Sequence, residues 1–228
     1  MSVGNRIYTK IRRPDKSLVE AFRGLPVANI ADNMGKFYCV DAEIRCFSKT
    51  PLLGTAITVK AQLADNLLFH KAIDMAQPGD IVVVDVGGCT KRGLCGDIMY
   101  TYAKSRGIAG FVVDGSVRDI DSLEALDFAV FARGVNPRGP YRNGPGEINV
   151  PVSIGGQIVF PGDILVGDLD GIVVIRPEDA ADVLEKARKT FESEKEIHIK
   201  IAQGTFNRDW VDQEIAGKAV EIINDYYA

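Results

Sequence analysis

Two short runs of continuously apolar residues constrain the fold of this chain most strongly. They are IVVVD at 81–85 and AGFVVD at 109–114. Strands of this kind have no polar face for water, so helices or a second sheet must cover them. Between them the sequence predicts a helix from about Asp97 to Arg106, closed by Gly107. The order strand, helix, strand indicates a βαβ unit.

The flanking segments extend this unit into a mixed α/β chain. Upstream, the sequence predicts two helices, an alternating strand and a third helix with Asp65 as its N-cap, at 17–22, 26–35, 54–61 and 65–75. Downstream, glycine- and proline-containing turns separate short strands of a β-rich layer, at 150–154, 157–160, 163–167 and 171–175. Two charged helical segments then end the chain, at 177–202 and 208–225. We expect a single catalytic domain over 1–202 and a helical extension over 203–228 that packs on a neighbouring subunit.

Composition and charge favour a small molecule as the ligand. The 228 residues carry a net charge of −4, and the 27 basic residues are scattered, which argues against nucleic acid or an anionic membrane as a partner. The four cysteines form no CxxC pair and the two histidines lie far apart, which argues against a zinc site. Because no stretch of 18 residues is uniformly apolar, we expect a cytoplasmic protein with reduced thiols.

The segment between the two apolar strands predicts an anion site. GGCTKRGLCG at 87–96 is a glycine-rich loop that leads into the helix. The first backbone N–H groups of a helix lack intrahelical partners, and glycines let a ligand approach them closely. Leu94 stands where a P-loop requires lysine, and no GxGxxG is present. The anion is therefore expected to be a carboxylate rather than a nucleotide phosphate.

A charged pair, Arg118-Asp119, follows the second apolar strand. Loops that leave neighbouring parallel strands meet at one sheet edge, so Asp97, Arg118 and Asp119 are expected to converge. Arginine can hold a carboxylate or an enolate oxygen, and aspartate is a hard oxygen ligand for Mg²⁺ or Mn²⁺. Simpler interpretations remain open for each residue.

Those simpler interpretations are structural. Asp119 or Asp121 can cap the helix DSLEAL, Asp121 pairing with Glu124 as in a capping box. Arg118 can be the partner in a surface ion pair. Asp97 suits the first turn of any helix, because the macrodipole favours an acid there.

A longer pattern resembles a known family. Asp97, twenty residues, then Arg118-Asp119, followed by GEINVPVSIGGQIVFPGDILVGDLDGIVVI, is similar to the 4-hydroxy-4-methyl-2-oxoglutarate/4-carboxy-4-hydroxy-2-oxoadipate aldolases and the regulator of ribonuclease activity A. The resemblance runs from about Val27 to residue 200. It implies an α/β/β sandwich of the swivelling-domain type, assembled as a homotrimer or a hexamer, with the active site at a subunit boundary.

The resemblance also implies a chemistry. A class II aldolase would cleave a 4-hydroxy-2-oxo acid to pyruvate and a second oxo acid through a metal-stabilised pyruvate enolate, with oxaloacetate decarboxylation as a candidate side activity. Asp119 would bind the divalent metal, Mg²⁺ or Mn²⁺, directly or through water, and Arg118 would contact the substrate's oxo or enolate oxygen. Asp97 would position or activate a water for proton transfer, and a metal-bound water is the alternative base. Backbone amides would bind the substrate carboxylate, those of Gly96, Asp97, Ile98 and Met99.

Two further residues come from the resemblance alone. A glutamate of an adjacent subunit's C-terminal helix lies near the metal site in the family, and FESEKE offers Glu192, Glu194 and Glu196. We select Glu194, although a solvated helix face explains any one of the three. Arg142 stands where the aldolases carry a lysine, which changes how a distal substrate carboxylate is bound.

A second function within the same family is a non-catalytic regulator that binds and inhibits a ribonuclease. That branch lacks the aspartate after the arginine and lacks the long C-terminal extension. This chain has both, which favours catalysis.

Overall fold

The computed structural model describes residues 3–226, with the side chain of Glu124 outside the description. The proposed capping pair of Asp121 with Glu124 therefore lies outside the described residues. The chain divides into two compact units, Met1–Lys189 and Thr190–Ala228. The functional boundary predicted between residues 202 and 203 lies within the second unit and stays a prediction.

Strands and helices alternate through the first unit. The strands are β1 (Asn5–Ile7), β2 (Arg45–Cys46), β3 (Leu52–Ala61), β4 (Asp80–Gly93), β5 (Gly110–Val117), β6 (Ala129–Val135), β7 (Gly146–Ile148), β8 (Val152–Ile154), β9 (Gln157–Val159), β10 (Ile164–Asp168) and β11 (Gly171–Ile175). The helices are α1 (Lys16–Glu20), α2 (Val27–Asp32), α3 (Leu67–Met75), α4 (Asp97–Ser105), α5 (Asp121–Leu126), α6 (Ala180–Ala202) and α7 (Asp209–Gly217).

The centre of the first unit is a sheet of four parallel strands, β3, β4, β5 and β6, which lie side by side in chain order. A helix joins each strand to the next, so the predicted βαβ unit is confirmed and repeated. Antiparallel strands β2, β7 and β10 extend this sheet, and β11 pairs with β10. The carboxyl ends of the four parallel strands share one edge.

The apolar strands alternate between two cores. Val82 and Val84 of β4 pack on the side of α3, α4 and α5, in a cluster that includes Phe69, Tyr100 and Phe111. Ile81 and Val83 of the same strand pack on the opposite face. Their neighbours there come from the β8–β9 ribbon and from β10 and β11. Because both faces are covered, no polar position is required along the strand. The predicted α/β/β sandwich is confirmed.

The segment predicted as a glycine-rich loop at 87–96 is partly strand. β4 runs to Gly93, although its register with β5 shifts twice, between Asp85 and Cys89 and again before Gly93. Gly87 and Gly88 have left-handed backbones, with φ of 62° and 72°, so they allow the chain to bulge without leaving the sheet. β5 likewise continues past Asp114 to Val117. Arg118 is therefore the first residue after a strand.

The outer face of β10 and β11 is covered by α1, α2 and the first turns of α6. In the second unit, α7 has no buried residue and Trp210 is 57% exposed. The interface predicted for this extension stays a prediction. Within the described residues, no helix is long and apolar enough to cross a membrane.

Candidate functional site

The loops that follow the parallel strands meet at the carboxyl edge of the sheet. They enclose a narrow cavity of about 90 Å³. Side chains and backbone from four loops or helix starts line it, among them Asn66, His70, Gly96, Asp97, Arg118 and Arg142. This is the edge at which open α/β sheets bind ligands. The structure thus brings most of the residues singled out from the sequence to one place.

Arg118 and Asp119 form a loose ion pair beside this cavity. Arg118 Nε lies 3.3 Å from Asp119 Oδ2, and each side chain is 40% exposed. The Asp97 N–H also donates to Asp119 Oδ2, at 3.3 Å, so the predicted convergence of the three residues is observed. An exposed pair of this kind contributes about 0–1 kcal/mol of stability. Stability alone therefore does not account for the arrangement.

Gly96 is required by close packing against this pair. A Cβ atom at position 96 would lie 2.1 Å from Asp119 Oδ2 and 3.1 Å from Arg118 Nε. The backbone of Gly96 is extended, with φ of −154°, so its conformation does not demand glycine. The steric reason is therefore additional to the ligand approach expected from the sequence.

The N-terminal amides of α4 have local partners. The Ile98 N–H donates to Asp97 Oδ1 at 2.8 Å, and the Met99 N–H donates to the Gly96 carbonyl at 3.0 Å. A substrate carboxylate at this helix end would replace the Asp97 carboxylate at Ile98. Carboxylate binding by these amides remains a prediction, and the exchange would free Asp97 for another role.

Tyr100 connects the two loops that carry the site. Its hydroxyl donates to the Arg118 carbonyl at 2.8 Å and lies 3.3 Å from the Cys95 carbonyl. The Arg118 N–H donates to the same Cys95 carbonyl at 2.9 Å. Burial raises the pKa of the Tyr100 phenol well above its usual range. Tyr100 therefore remains protonated and donates to the loop after β5 at ordinary pH.

Two residues of the site were missed by the sequence analysis, Asn66 and His70. Asn66 Nδ2 donates to the Leu94 carbonyl at 2.8 Å and lies 3.3 Å from His70 Nε2. Burial lowers the pKa of His70, and the positive charge of Arg142 lowers it further. Both residues follow the end of β3, so the rule that strand ends share an edge would have included them.

Asp65 fixes the loop that carries Arg142. Its Oδ2 accepts hydrogen bonds from the Asn143 and Gly144 N–H groups, at 2.5 and 3.1 Å. Its Oδ1 accepts from the Leu67 N–H at 2.9 Å. The N-cap position of α3 is Asn66 rather than Asp65, because Asp65 lies one residue further out in a side-chain-stabilised turn.

Glu194 lies on α6 in the second unit, where it is half-buried. Glu192 pairs with Lys195 at 2.8 Å on the same helix, as a solvated face would. The contribution of Glu194 to a neighbouring subunit's site stays a prediction.

The donor set suits a metal held mainly by water and substrate. Among the described residues, no group of three or more His, Cys, Asp or Glu is placed to hold an ion. Asp119 Oδ2 accepts a hydrogen bond from the Asp97 N–H and forms an ion pair with the Arg118 guanidinium. No donor within the described part of the chain reaches Asp119 Oδ1. Mg²⁺ commonly takes one or two protein carboxylates and keeps several waters. A single free carboxylate oxygen at Asp119 fits that requirement.

Comparison with known proteins shows that this chain is similar to one family of proteins. A family model described as RraA-like, Aldolase/RraA, matches residues 27–174. A protein of Halalkalibacterium halodurans, provisionally named 4-hydroxy-4-methyl-2-oxoglutarate aldolase, is 40% identical over 172 residues, which is 75% of this chain and 82% of that protein.

Solved structures agree with this match. An uncharacterized protein from Pseudomonas syringae pv. tomato superposes with a TM-score of 0.77 at 28% identity, over 86% of this chain and 92% of that one. RraAS2 of Streptomyces coelicolor, described as an unusual member of the RNase ES inhibitor RraA protein family, gives a TM-score of 0.74 at 26% identity, over 82% and 100% of the two chains.

Proposed function

This chain belongs to the RraA-like family, and on that basis we propose that it is a divalent-metal-dependent aldolase of 4-hydroxy-2-oxo acids. Its products would be pyruvate and a second oxo acid. The observation that carries the proposal is the meeting of Arg118, Asp119 and the glycine-led start of α4 beside one cavity. A half-exposed cation and carboxylate with spare hydrogen-bonding capacity are what such a reaction requires.

The reaction places negative charge on one oxygen. A base removes the proton of the C4 hydroxyl, the C3–C4 bond breaks, and its electron pair forms the pyruvate enolate with charge on the C2 oxygen. Protonation at C3 then releases pyruvate. Decarboxylation of oxaloacetate passes through the same enolate, so we include it as a side activity.

Arg118 would stabilise the C2 oxygen as its charge develops. Its backbone is held by Tyr100 and Cys95, and its Nε is the atom nearest Asp119. The Nη groups therefore remain for the substrate. A preorganised donor aimed at a developing oxyanion typically lowers the activation free energy by about 3–4 kcal/mol.

Asp97 would serve proton transfer. Once a substrate carboxylate occupies the Ile98 amide, the Asp97 carboxylate loses that hydrogen bond and can hold a water near the C4 hydroxyl. Its position in the first turn of α4 and its exposed side chain permit this change. The base itself is then water positioned by Asp97.

Asp119 would hold the divalent metal, Mg²⁺ or Mn²⁺, through one carboxylate oxygen. Bound there, a dication would supply Lewis-acid stabilisation of the oxo acid. Glycine at position 96 lets the start of α4 pack directly against the Asp119 carboxylate, because a Cβ there would lie 2.1 Å from Oδ2. Glu194 of a neighbouring subunit in a homotrimer or hexamer would complete the site.

The proposal is tested by pyruvate release from 4-hydroxy-2-oxoglutarate, coupled to NADH oxidation by lactate dehydrogenase. EDTA should abolish the activity and added Mg²⁺ should restore it. Arg118→Met and Asp119→Asn should each lower kcat/KM by about 10²–10³. Arg23→Met is the matched control, because Arg23 forms an exposed pair with Glu20. Activity that survives EDTA, or that survives both site variants, would reject the mechanism.

Inhibition of a ribonuclease is the second candidate, because a structural neighbour carries that description. An inhibitor would act through its surface and would not depend on Arg118 or Asp119. Ribonuclease inhibition that is unchanged in Arg118→Met, together with absent pyruvate release in the wild type, would favour it.

A further inference from the structure

An imidazole lines the candidate site, and the proposed function leaves it without a role. His70 is half-buried on α3 and lines the cavity of about 90 Å³ together with Asp97 and Arg118. The cavity has room for a few water molecules, because each takes up about 30 Å³ in the liquid. A short chain of waters can therefore connect His70 to the water that Asp97 would position.

Asn66 holds this imidazole from one side. Asn66 Nδ2 donates to the Leu94 carbonyl at 2.8 Å, which sets the orientation of the amide, because a carbonyl can only accept. The second hydrogen of Nδ2 reaches toward His70 Nε2, 3.3 Å away. Nε2 is then the unprotonated nitrogen of a neutral ring, and it is the atom that can take up a proton.

The same amide offers an acceptor to a protonated ring. Asn66 is 2% exposed, and among the described residues no donor reaches its Oδ1. A buried acceptor without a donor costs about 1–3 kcal/mol. Oδ1 is bonded to the same carbon as Nδ2, so a rotation of the imidazole can bring a protonated Nε2 to it. Both protonation states of His70 thus have a partner on Asn66.

The other ionisable side chains of the cavity are less suited to carry a proton. Among the described lining residues they are Cys95, Asp97, Arg118 and Arg142. Burial raises the pKa of the Cys95 thiol well above its usual range, so it stays protonated. Guanidinium groups do not lose their proton in proteins, and carboxylates are in general weaker bases than imidazole.

The surroundings of His70 keep its ring neutral at pH 7. Burial lowers the pKa of His70, the positive charge of Arg142 from the facing loop lowers it further, and Asp74 on the same helix raises it. The ordinary value is near 6.5, so the neutral ring predominates at pH 7. His70 can therefore accept a proton from the water at Asp97.

We propose that His70 is the proton carrier of the site. This inference rests on the proposed function. In the cleavage direction the O–H bond of the C4 hydroxyl breaks, its proton passes through the water at Asp97 to His70 Nε2, and the C3–C4 electron pair becomes the enolate. The imidazolium then returns the proton through water to C3, which completes pyruvate and restores the neutral ring. No net proton is gained or lost.

The first test replaces each of the two histidines by glutamine, which keeps a polar side chain but carries no proton at neutral pH. His70→Gln should lower kcat for pyruvate release from 4-hydroxy-2-oxoglutarate by about 10² and leave KM nearly unchanged. His198→Gln, at an exposed position of α6, is the matched control and should keep the wild-type kcat. Full kcat in His70→Gln overturns this inference alone, whereas a wild type that releases no pyruvate overturns the proposed function as well.

A pH profile separates proton transfer from structural support of the cavity. The acid limb of kcat/KM reports the essential base of the free enzyme, so its midpoint should match the pKa of His70 measured by proton NMR. Asp74→Asn removes the carboxylate that raises this pKa, so the acid limb should move to lower pH with the plateau unchanged.

Tyr102→Phe is the control for Asp74→Asn, because it removes only the hydroxyl that donates to Asp74 Oδ1. It should leave the acid limb in place. An acid limb that does not follow the pKa of His70 in the wild type and in Asp74→Asn overturns the inference, even if His70→Gln fails to fold.

Discussion

Two arginine–aspartate pairs lie at opposite edges of the same sheet and differ in contact geometry and in burial. At the amino edge, Arg13 Nε and Nη2 donate to Asp80 Oδ1 and Oδ2 at 2.9 and 2.7 Å. The Gln77 N–H also donates to Asp80 Oδ2, and the Asp80 side chain is 2% exposed. At the carboxyl edge, Arg118 and Asp119 share a single contact of 3.3 Å, and both are 40% exposed.

The difference indicates which pair serves stability and which can serve a ligand. In the Arg13–Asp80 pair both carboxylate oxygens are occupied, so a ligand would have to break existing bonds. Within the residues that the structure describes, the Arg118–Asp119 pair leaves guanidinium and carboxylate atoms without protein partners. Asp119 also has a left-handed backbone, with φ of 57°. A non-glycine residue in that conformation is uncommon and costs about 1 kcal/mol or more, so the loop is not optimised for stability.

The largest expected difference between the two pairs is in the free energy of unfolding after the arginine of each pair is replaced. Arg13→Met leaves a buried carboxylate without its cation, so the free energy of unfolding should fall by about 3 kcal/mol. The kcat/KM for pyruvate release should stay near the wild-type value below the unfolding transition. Urea denaturation followed by circular dichroism measures the first quantity, and the coupled assay measures the second.

Arg118→Met provides the reverse case. Its free energy of unfolding should change by no more than about 0.5 kcal/mol, because an exposed pair contributes little. If Arg118→Met destabilises the protein as much as Arg13→Met does, the two pairs have the same role and the contrast is wrong.

A smaller effect is expected from Tyr100, the residue that fixes the carboxyl-edge loops. Tyr100→Phe keeps the buried ring and removes the hydroxyl that donates to the Arg118 carbonyl. Losing this hydrogen bond should cost about 1 kcal/mol of stability. The displaced loop should also lower kcat/KM by about tenfold, an amount that corresponds to about 1.4 kcal/mol.

Tyr102→Phe on the same helix is the matched control. Its hydroxyl is at the surface and donates to Asp74 Oδ1 at 3.1 Å, so activity should not change. A Tyr100→Phe protein that is less stable but fully active would show that Tyr100 supports only the core.

The carboxyl-edge half of this contrast could be predicted from the sequence, because strand periodicity and strand ends are local properties, whereas the Arg13–Asp80 pair was not predicted. The runs at 81–85 and 109–114 predicted buried parallel strands, and these placed Asp97, Arg118 and Asp119 at one edge. The βαβ order fixed the edge without any knowledge of side-chain contacts.

The remainder depends on contacts between distant residues. The continuation of β4 through Gly87 and Gly88 needs pairing with β5, which a turn-like local sequence does not reveal. The burial of Asn66 and the bonds of Arg92 to Gly139 and Tyr141 likewise arise from loops far apart in the chain. Local patterns therefore located the candidate site but not its full lining.

The smallest predicted effect concerns His70, which lines the cavity together with Arg142. Burial lowers the pKa of His70, Arg142 lowers it further, and Asp74 acts in the opposite direction. Arg142→Met should therefore raise the pKa of His70 toward the ordinary value near 6.5, and Asp74→Asn should lower it. The folded state resists protonation at His70. The contribution of His70 to the free energy of unfolding should therefore have its full value above about pH 6.5 and decrease as the pH falls below it.

Proton NMR titration of the imidazole Cε1–H measures this directly. The protein has two histidines, so a His198→Gln variant assigns the signal of His70. Opposite shifts in Arg142→Met and Asp74→Asn would place His70 in the electrostatic field of the cavity. If the His70 titration curve of each variant is identical to that of the wild type, Arg142 points away from the cavity. Arg142 would then no longer count among the substrate-binding residues.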